Sequence, residues 1–167
     1  MAYFRLPEGV RDILPDECER LDALEARLRG KFAAAGFRFV RSAGLEYYDT
    51  YAGIRSAVGQ EKMFKLTDKD GRLIVLRPDM TLACARIAAT KLRAESARLC
   101  YFTDIYDFSA GGNSDREVFQ AGVELFVEGG AEADAAVISF AAECLREAGL
   151  REFIIDVGHV GFYKGLL

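Results

Sequence analysis

The N-terminal part of the chain combines a long helical pattern of apolar residues with short runs of strand periodicity. A helix is predicted from an N-cap at Asp16 to about Ala35, because leucine and phenylalanine recur along it at three- and four-residue spacing. Gly36 is expected to end this helix. Short strands are predicted at 37–40 and 45–48, on either side of a glycine-containing break.

The middle and C-terminal parts of the chain alternate hairpins with helices. A β-hairpin is predicted from 63–67 and 72–76, which flank an Asp-Gly turn. The remaining predicted elements are a helix capped by Asp79 or Thr81 that runs to about Lys91, strands at 98–106 and 118–127, a helix at 133–148 ended by Gly149, and a strand at 153–157. Hairpins and helices without regular β-α-β alternation predict an α+β fold with a largely antiparallel sheet.

Composition and charge narrow the classes of protein. The 167 residues are 51% hydrophobic, which is enough for one domain with a core of its own. With 22 Lys and Arg against 26 Asp and Glu, the net charge of -4 gives no support for a broadly basic nucleic-acid-binding surface. No apolar run approaches the roughly 20 residues that cross a bilayer, and the N-terminus does not resemble a signal peptide, so a cytoplasmic protein is expected.

Residues that favour metal or nucleotide chemistry are sparse. Cys18, Cys84, Cys100 and Cys144 are scattered without a Cys-x-x-Cys pair and are expected to be reduced, mostly buried thiols. With His159 as the single histidine, no metal site is expected, and this histidine is more typical of a structural residue than of a general base. No G-x-G-x-x-G or G-x-x-x-x-G-K segment is present, and no cofactor is expected.

Polar residues on the predicted strand at 118–127 form the first candidate binding site. Gln120 and Glu124 are four residues apart and therefore lie on one face of the strand, while Phe119 can face the other side. The two polar residues could face solvent, or they could bind a small polar ligand, since a buried polar face needs partners. In the preceding loop, Arg116 could contact a phosphate or a carboxylate, or it could pair with a neighbouring acid.

The segment Arg77-Pro-Asp-Met-Thr81 places a cation, a carboxylate and a hydroxyl where a strand meets a helix. One interpretation is that Asp79 or Thr81 caps the helix and that the arginine forms an ion pair. The other is that Asp79 binds the ammonium group of a ligand while Thr81 hydrogen-bonds it. The residues alone leave both interpretations open.

Taken in chain order, five segments resemble the catalytic domain of class II histidyl-tRNA synthetases. They are 6–12, 36–46, which resembles motif 1, 59–64, 76–81, and 98–124, which resembles motif 2. The resemblance implies a class II synthetase fold, with a mainly antiparallel sheet flanked by helices. In that family, the residues that match Asp79 and Thr81 hold the amino group of histidine. Those that match Gln120 and Glu124 contact the bound amino acid.

The part of motif 2 that serves adenylation departs from the family pattern. A working synthetase has an Arg-x-Glu whose arginine holds the α-phosphate of ATP, and this chain has Asp107-Phe-Ser109 instead. A carboxylate there would repel phosphate, which predicts a loss of roughly a thousandfold or more in rate. Ser114 stands where a basic residue is usual, and Ala43 stands where motif 1 usually has proline.

This combination resembles the synthetase paralogues that act as regulatory subunits of ATP phosphoribosyltransferase, the first enzyme of histidine biosynthesis. The resemblance implies a non-catalytic subunit that binds histidine, self-associates as a dimer and partners a short-form catalytic subunit, with no tRNA partner. The alternative is a fragment or diverged paralogue of histidyl-tRNA synthetase in which Arg116 or another cation replaces the lost arginine. A third reading is a stand-alone amino-acid-binding module. Because the family's domain continues beyond Leu167, residues 1–167 are expected to be its N-terminal part, with an incomplete sheet at the C-terminus.

Overall fold

The computed structural model divides the chain into two compact units, Met1–Glu128 and Gly129–Leu167, which are described separately. The structure describes residues 5–53, 58–93, 96–109, 115–126 and 129–158. Ser114 and His159 lie outside these ranges. The described elements of the first unit are α1 (Pro15–Ala34), β1 (Arg38–Phe39), β2 (Leu45–Tyr47), α2 (Tyr48–Ala52), a single 3-10 turn (Gln60–Lys62), β3 (Lys65–Thr67), β4 (Leu73–Leu76), α3 (Thr81–Ile87), a π-helical turn (Ala88–Leu92), β5 (Ala97–Tyr106) and β6 (Glu117–Phe126).

The first helix begins at a proline and not at a capping aspartate. Pro15 occupies its first turn after Leu14, which makes no side-chain hydrogen bond to the free backbone N–H groups. The N-cap predicted at Asp16 is therefore wrong. Proline, with its fixed φ, already begins the helix. Asp16 lies in the first turn, where its negative charge interacts favourably with the helix dipole. Gly36, at φ +79°, follows the end of the helix as predicted.

Two three-stranded sheets form the framework of the first unit, in the α+β arrangement that was predicted. One sheet has the order β1-β5-β6, with β1 parallel to β5 and with β5 antiparallel to β6 over ten residue pairs. The other has the order β2-β4-β3 and is antiparallel throughout. The predicted Asp-Gly turn joins β3 to β4. Gly71 lies at φ +81°, and Asp68 Oδ1 accepts hydrogen bonds from the backbone N–H groups of Asp70 and Arg72.

Helices cover both faces of the β1-β5-β6 sheet. On one face, Leu99 and Tyr101 of β5 pack with Cys84 of α3 in a buried apolar cluster. On the other face, the Phe102 ring stacks on Phe32 of α1, with ring centroids 5.3 Å apart. Because side chains alternate along a strand, β6 presents one set of residues to α3 and the next set to α1. Within the described residues, no helix is both long enough and apolar enough to cross a membrane.

A buried arginine joins the two sheets. Arg77 follows β4 and is 5% exposed. Its guanidinium donates hydrogen bonds to the carbonyl oxygens of Ser42, Ala43 and Asp104 and to the hydroxyl groups of Ser42 and Thr103. These acceptors are uncharged, so the hydrogen bonds are not the ion pair considered from the sequence. The loop after β1 and the strand β5 are thus held against the end of β4, directly before α3 begins.

The second unit is described from residue 129 to residue 158 and contains the helix α4 (Ala131–Glu147). Gly149, at φ +102°, follows this helix as predicted. The strand predicted at 153–157 is wrong: in the described part of the chain these residues pair with no other strand, and Ile154 is 89% exposed. A short apolar run becomes a strand only where a neighbouring strand accepts its backbone hydrogen bonds.

Candidate amino-acid-binding site

Two elements carry the four predicted ligand residues to one face of the β5–β6 hairpin. Asp79 and Thr81 lie where β4 leads into α3, and Gln120 and Glu124 lie on β6. The Thr81 hydroxyl donates a hydrogen bond of 2.9 Å to Glu124 Oε1, although the two residues are 43 positions apart in the chain. The packing of α3 on the sheet therefore produces this contact, and local sequence does not.

Asp79 hydrogen-bonds the first turn of the helix that follows it. Its Oδ1 accepts hydrogen bonds from the backbone N–H groups of Thr81, at 2.8 Å, and of Leu82, at 3.3 Å. The Tyr51 hydroxyl donates to the backbone carbonyl oxygen of Asp79 at 3.3 Å. The N-cap residue itself is Met80 and makes no side-chain hydrogen bond, so Asp79 bonds the first turn of α3 from one position earlier than the N-cap that was predicted for it. These bonds fix the orientation of the Asp79 carboxylate. The same carboxylate also acts electrostatically on Glu124.

Glu124 is half-buried and lies near this second carboxylate. Burial raises the pKa of Glu124 above its ordinary value, the hydrogen bond from Thr81 lowers the pKa, and the negative charge of Asp79 raises it. The ionised form of Glu124 is therefore disfavoured by its protein surroundings, and a bound cationic group would stabilise it. The ammonium group of a small molecule is a cation of this kind.

Gln120 is held by a tyrosine that sequence reasoning missed. Tyr101 lies on β5 directly across from Gly122, and its hydroxyl donates a hydrogen bond of 3.2 Å to Gln120 Oε1. A Cβ atom at position 122 would overlap the tyrosine ring and hydroxyl, so this strand position requires glycine. A glycine inside a strand often marks the close approach of another group, and it was the one signal in the sequence for this contact.

Arg116 lies away from the four ligand residues, one position before β6 begins. Its side chain packs against Gly9, where an added Cβ would come within 2.7 Å of Arg116 Cγ. Its guanidinium carbon lies 5.9 Å from the centroid of the Phe108 ring. A contact of Arg116 with phosphate or carboxylate stays a prediction, and it would belong to the loop end of the hairpin.

The carboxylate that stands in place of the motif 2 arginine has partners of its own. Asp107 Oδ1 accepts hydrogen bonds from the backbone N–H of Ser109, at 2.9 Å, and from the Ser109 hydroxyl, at 2.6 Å. Asp107 Oδ2 lies 3.9 Å from Lys62 Nζ. The Phe108 ring packs edge-on against Phe64, with centroids 5.1 Å apart. Asp107 therefore stabilises the turn that follows β5, and a lysine partly balances its charge.

A cavity elsewhere in the first unit is separate from this site. It measures about 400 Å³, and Arg11, Asp104, Asp115 and Phe119 are among the residues that line it. None of the four predicted ligand residues is among its described lining residues. In the described ranges, no group of three or more His, Cys, Asp or Glu side chains is arranged to hold a metal ion.

The strand arrangement, with its polar residues on the β5–β6 hairpin, defines a class II aminoacyl-tRNA synthetase-like fold, and solved structures agree. An ATP phosphoribosyltransferase regulatory subunit/histidyl-tRNA synthetase from Bacillus halodurans matches with a TM-score of 0.90 at 38% identity, over 99% of this chain and 43% of that chain. A histidine–tRNA ligase subunit from Alicyclobacillus acidocaldarius gives 0.76 at 31% identity, over 90% and 44%. The apo histidyl-tRNA synthetase of S. aureus gives 0.73 at 24% identity, over 89% and 35%, which supports the fold alone.

The sequence places the chain in one family of this class. Residues 9–167 match the family model for histidyl-tRNA synthetase, and the chain belongs to that family. Curated relatives named ATP phosphoribosyltransferase regulatory subunit include that of Acetivibrio thermocellus, 43% identical over 100% of this chain and 41% of that protein. Another is that of Bacillus licheniformis, 38% identical over 99% of this chain and 43% of that protein. The chain spans about two fifths of the length of these relatives.

Proposed function

We propose that this chain is the histidine-binding part of a regulatory subunit of ATP phosphoribosyltransferase, which controls the first step of histidine biosynthesis. Asp79, Thr81, Gln120 and Glu124 bind histidine, and the subunit acts as a dimer together with a short-form catalytic subunit. The names of the curated relatives support the regulatory role. Control by histidine then amounts to a coupling free energy between a site on this chain and a site on the catalytic subunit.

The observation that carries the proposal is the contrast between two carboxylates on one hairpin. Glu124 accepts a hydrogen bond from Thr81 and lies near Asp79, an arrangement that favours a bound cation. Asp107 places a carboxylate, with Lys62 as its partner, where a ligase of this family needs an arginine. A carboxylate cannot stabilise the negative charge that develops on phosphate during adenylation. The combination favours histidine binding without ligase chemistry.

Isothermal titration calorimetry with L-histidine tests the ligand. We expect the protein to bind histidine, and Glu124→Ala to lose at least about tenfold in affinity, since a hydrogen bond to a charged group is worth about 1.5–3 kcal/mol. Glu117→Ala, at the opposite end of the same strand, is the matched control and should bind as the wild type does. Equal affinities for wild type and Glu124→Ala would refute the site assignment.

Reconstitution with the cognate short-form catalytic subunit tests the partner. We expect the two proteins to co-elute in size-exclusion chromatography, and we expect phosphoribosyltransferase activity that histidine inhibits only when both are present. A histidine-binding protein that neither co-elutes with the catalytic subunit nor changes its activity would instead be a stand-alone amino-acid-binding module.

Histidyl-tRNA synthetase activity is the second candidate, because the matching family model is that of the synthetase and because Arg116 lies beside the turn that carries Asp107. In that case Arg116 would take the place of the lost arginine. Pyrophosphate exchange that depends on both histidine and ATP distinguishes the two candidates. We expect no exchange above background. A synthetase-like rate that falls in Arg116→Ala would establish the ligase instead.

A further inference from the structure

We propose that Tyr101 is a positioning residue that turns the carboxamide of Gln120 so that its NH2 group faces the ligand. The inference rests on the proposed histidine site and adds a role for a residue outside the four predicted ligand residues. Its consequence is that Gln120 recognises a hydrogen-bond acceptor of the ligand, such as a carboxylate oxygen. The carboxylates of Glu124 and Asp79 would then accept hydrogen bonds from the donor groups of the ligand.

The ring of Tyr101 is confined on two sides. Tyr101 is 5% exposed and packs with Met80, Cys84 and Leu99 on the side that faces α3. Across the hairpin lies Gly122, whose missing side chain leaves the space that the ring and its hydroxyl occupy. A buried aromatic ring held between a packed core and a strand backbone has little rotational freedom. Its hydroxyl is therefore held at a fixed place beside Gln120.

The tyrosine hydroxyl acts as the donor in this contact. Burial raises the pKa of Tyr101 above its ordinary value, so the phenol keeps its proton at neutral pH. The acceptor is Gln120 Oε1, at 3.2 Å. A carboxamide has an acceptor oxygen on one side and a two-donor nitrogen on the other. With the oxygen directed to Tyr101, the nitrogen points away from the tyrosine and offers its N–H groups to another partner.

The other end of the site has the opposite polarity. Glu124 and Asp79 present carboxylates, and the Thr81 hydroxyl already donates to Glu124. A free amino acid carries an ammonium donor and a carboxylate acceptor, so a site with acceptors at one end and a donor at the other matches both groups. If the carboxamide were inverted, its oxygen would face the ligand carboxylate and repel it. The hydrogen bond from Tyr101 to Gln120 Oε1 favours the uninverted carboxamide, because inversion would break this bond.

Removal of the hydroxyl alone tests the inference by calorimetry. Tyr101→Phe keeps the ring and should weaken L-histidine binding about three- to tenfold, the value of one neutral hydrogen bond. L-histidinol, which has no carboxylate, should bind Tyr101→Phe and wild type equally. In a Gln120→Ala background, Tyr101→Phe should have no further effect. Tyr106→Phe is the matched control, because its hydroxyl contacts Glu117 at the other end of the hairpin, and it should leave binding unchanged.

Side-chain 15N relaxation of Gln120 tests the positioning in the ligand-free protein. We expect an ordered Nε2 group in wild type and in Tyr106→Phe, and a mobile one in Tyr101→Phe. Equal order in all three proteins would overturn the inference, as would an undiminished loss of histidine affinity in the Gln120→Ala background or an equal loss for histidinol. If the wild type binds no histidine, the proposed function fails, and relaxation still decides whether Tyr101 positions Gln120.

Discussion

The two ends of the β5–β6 hairpin use carboxylates in opposite ways. At one end, Glu124 is half-buried, its pKa is raised by burial, and Thr81 is its hydrogen-bond donor. At the other end, Asp107 accepts two hydrogen bonds from Ser109 and lies near Lys62. Glu124 would gain from a bound cation, whereas Asp107 is already satisfied by its own turn. The surroundings of a carboxylate, and not its charge alone, decide whether a bound cation would stabilise it.

The largest effect is expected when Arg77, the buried arginine that joins the two sheets, is replaced. Arg77→Met should lower the free energy of unfolding by about 3 kcal/mol, because partly buried carbonyl oxygens such as those of Ser42 and Asp104 lose their donors. Urea unfolding measures this loss. Arg98→Met is the control, because exposed Arg98 makes a long hydrogen bond of 3.4 Å to Ala35 and lies 5.8 Å from the Phe37 ring centroid. This substitution should cost less than about 1 kcal/mol. Equal losses would mean that the buried arginine contributes no more than an exposed one.

A somewhat smaller effect is expected at the Glu124 end of the hairpin, where Gly122 leaves space for the Tyr101 ring. Gly122→Ala should destabilise the protein by about 2 kcal/mol, because the new methyl group overlaps Tyr101. Gly30→Ala is a useful contrast: this glycine lies in α1 with open space around it, and the substitution should stabilise the protein by about 1 kcal/mol. Thermal denaturation compares the two variants. If Gly122→Ala were as stable as wild type, the ring could not lie over the strand as described.

The Glu124 carboxylate should make the free energy of unfolding depend on pH. The pKa of Glu124 is raised in the folded protein above its ordinary value of 4.5. At pH values just above 4.5, the folded state therefore keeps the Glu124 carboxyl protonated more readily than the unfolded state does. The contribution of Glu124 to stability therefore falls as pH rises through that window. Glu124→Gln keeps an acceptor for Thr81, and it should remove this fall and weaken histidine binding. Melting temperatures from about pH 4 to about pH 7 test this, and identical profiles for both proteins would contradict the raised pKa.

The smallest effect is expected at the loop end. Asp107→Asn should change the free energy of unfolding by less than about 1 kcal/mol, because the pair with Lys62 is long and partly exposed. The asparagine oxygen can still accept from Ser109, and histidine affinity should stay at the wild-type value. Calorimetry and urea unfolding measure both quantities. A loss of affinity as large as that of Glu124→Gln would show that the two ends are not independent.

Short-range chemistry made part of the fold predictable. Gly36 after α1 and the Asp-Gly turn at Gly71 depend on residues close in sequence, and both occupy the predicted places with positive φ. Residues 153–157 show the limit of such reasoning. Their short apolar run suggested a strand, but a strand also needs a partner strand, and the pattern of one segment cannot supply it.

The candidate site was predictable to a similar degree. The resemblance pointed to Thr81 and Glu124, and the structure brings their side chains into contact. Tyr101 was not predicted, because a tyrosine in an apolar strand is typical of core packing and its contact with Gln120 depends on cross-strand register. The acceptors of Arg77 come from segments 26 to 35 positions away, which no local pattern reveals. Residues that orient other residues are recognisable once the register is known.

The uncharged acceptors around Arg77 bear on the order in which the first unit would come apart in acid. A guanidinium keeps its charge, and carbonyl and hydroxyl oxygens do not titrate over the range in which proteins fold. Exposed pairs such as Arg11–Glu17, in which the hydrogen bond from Arg11 lowers the pKa of the carboxyl, lose their attraction once the carboxylate is protonated. Acidification should therefore weaken such exposed ion pairs before it affects the hydrogen bonds of Arg77 that join the two sheets.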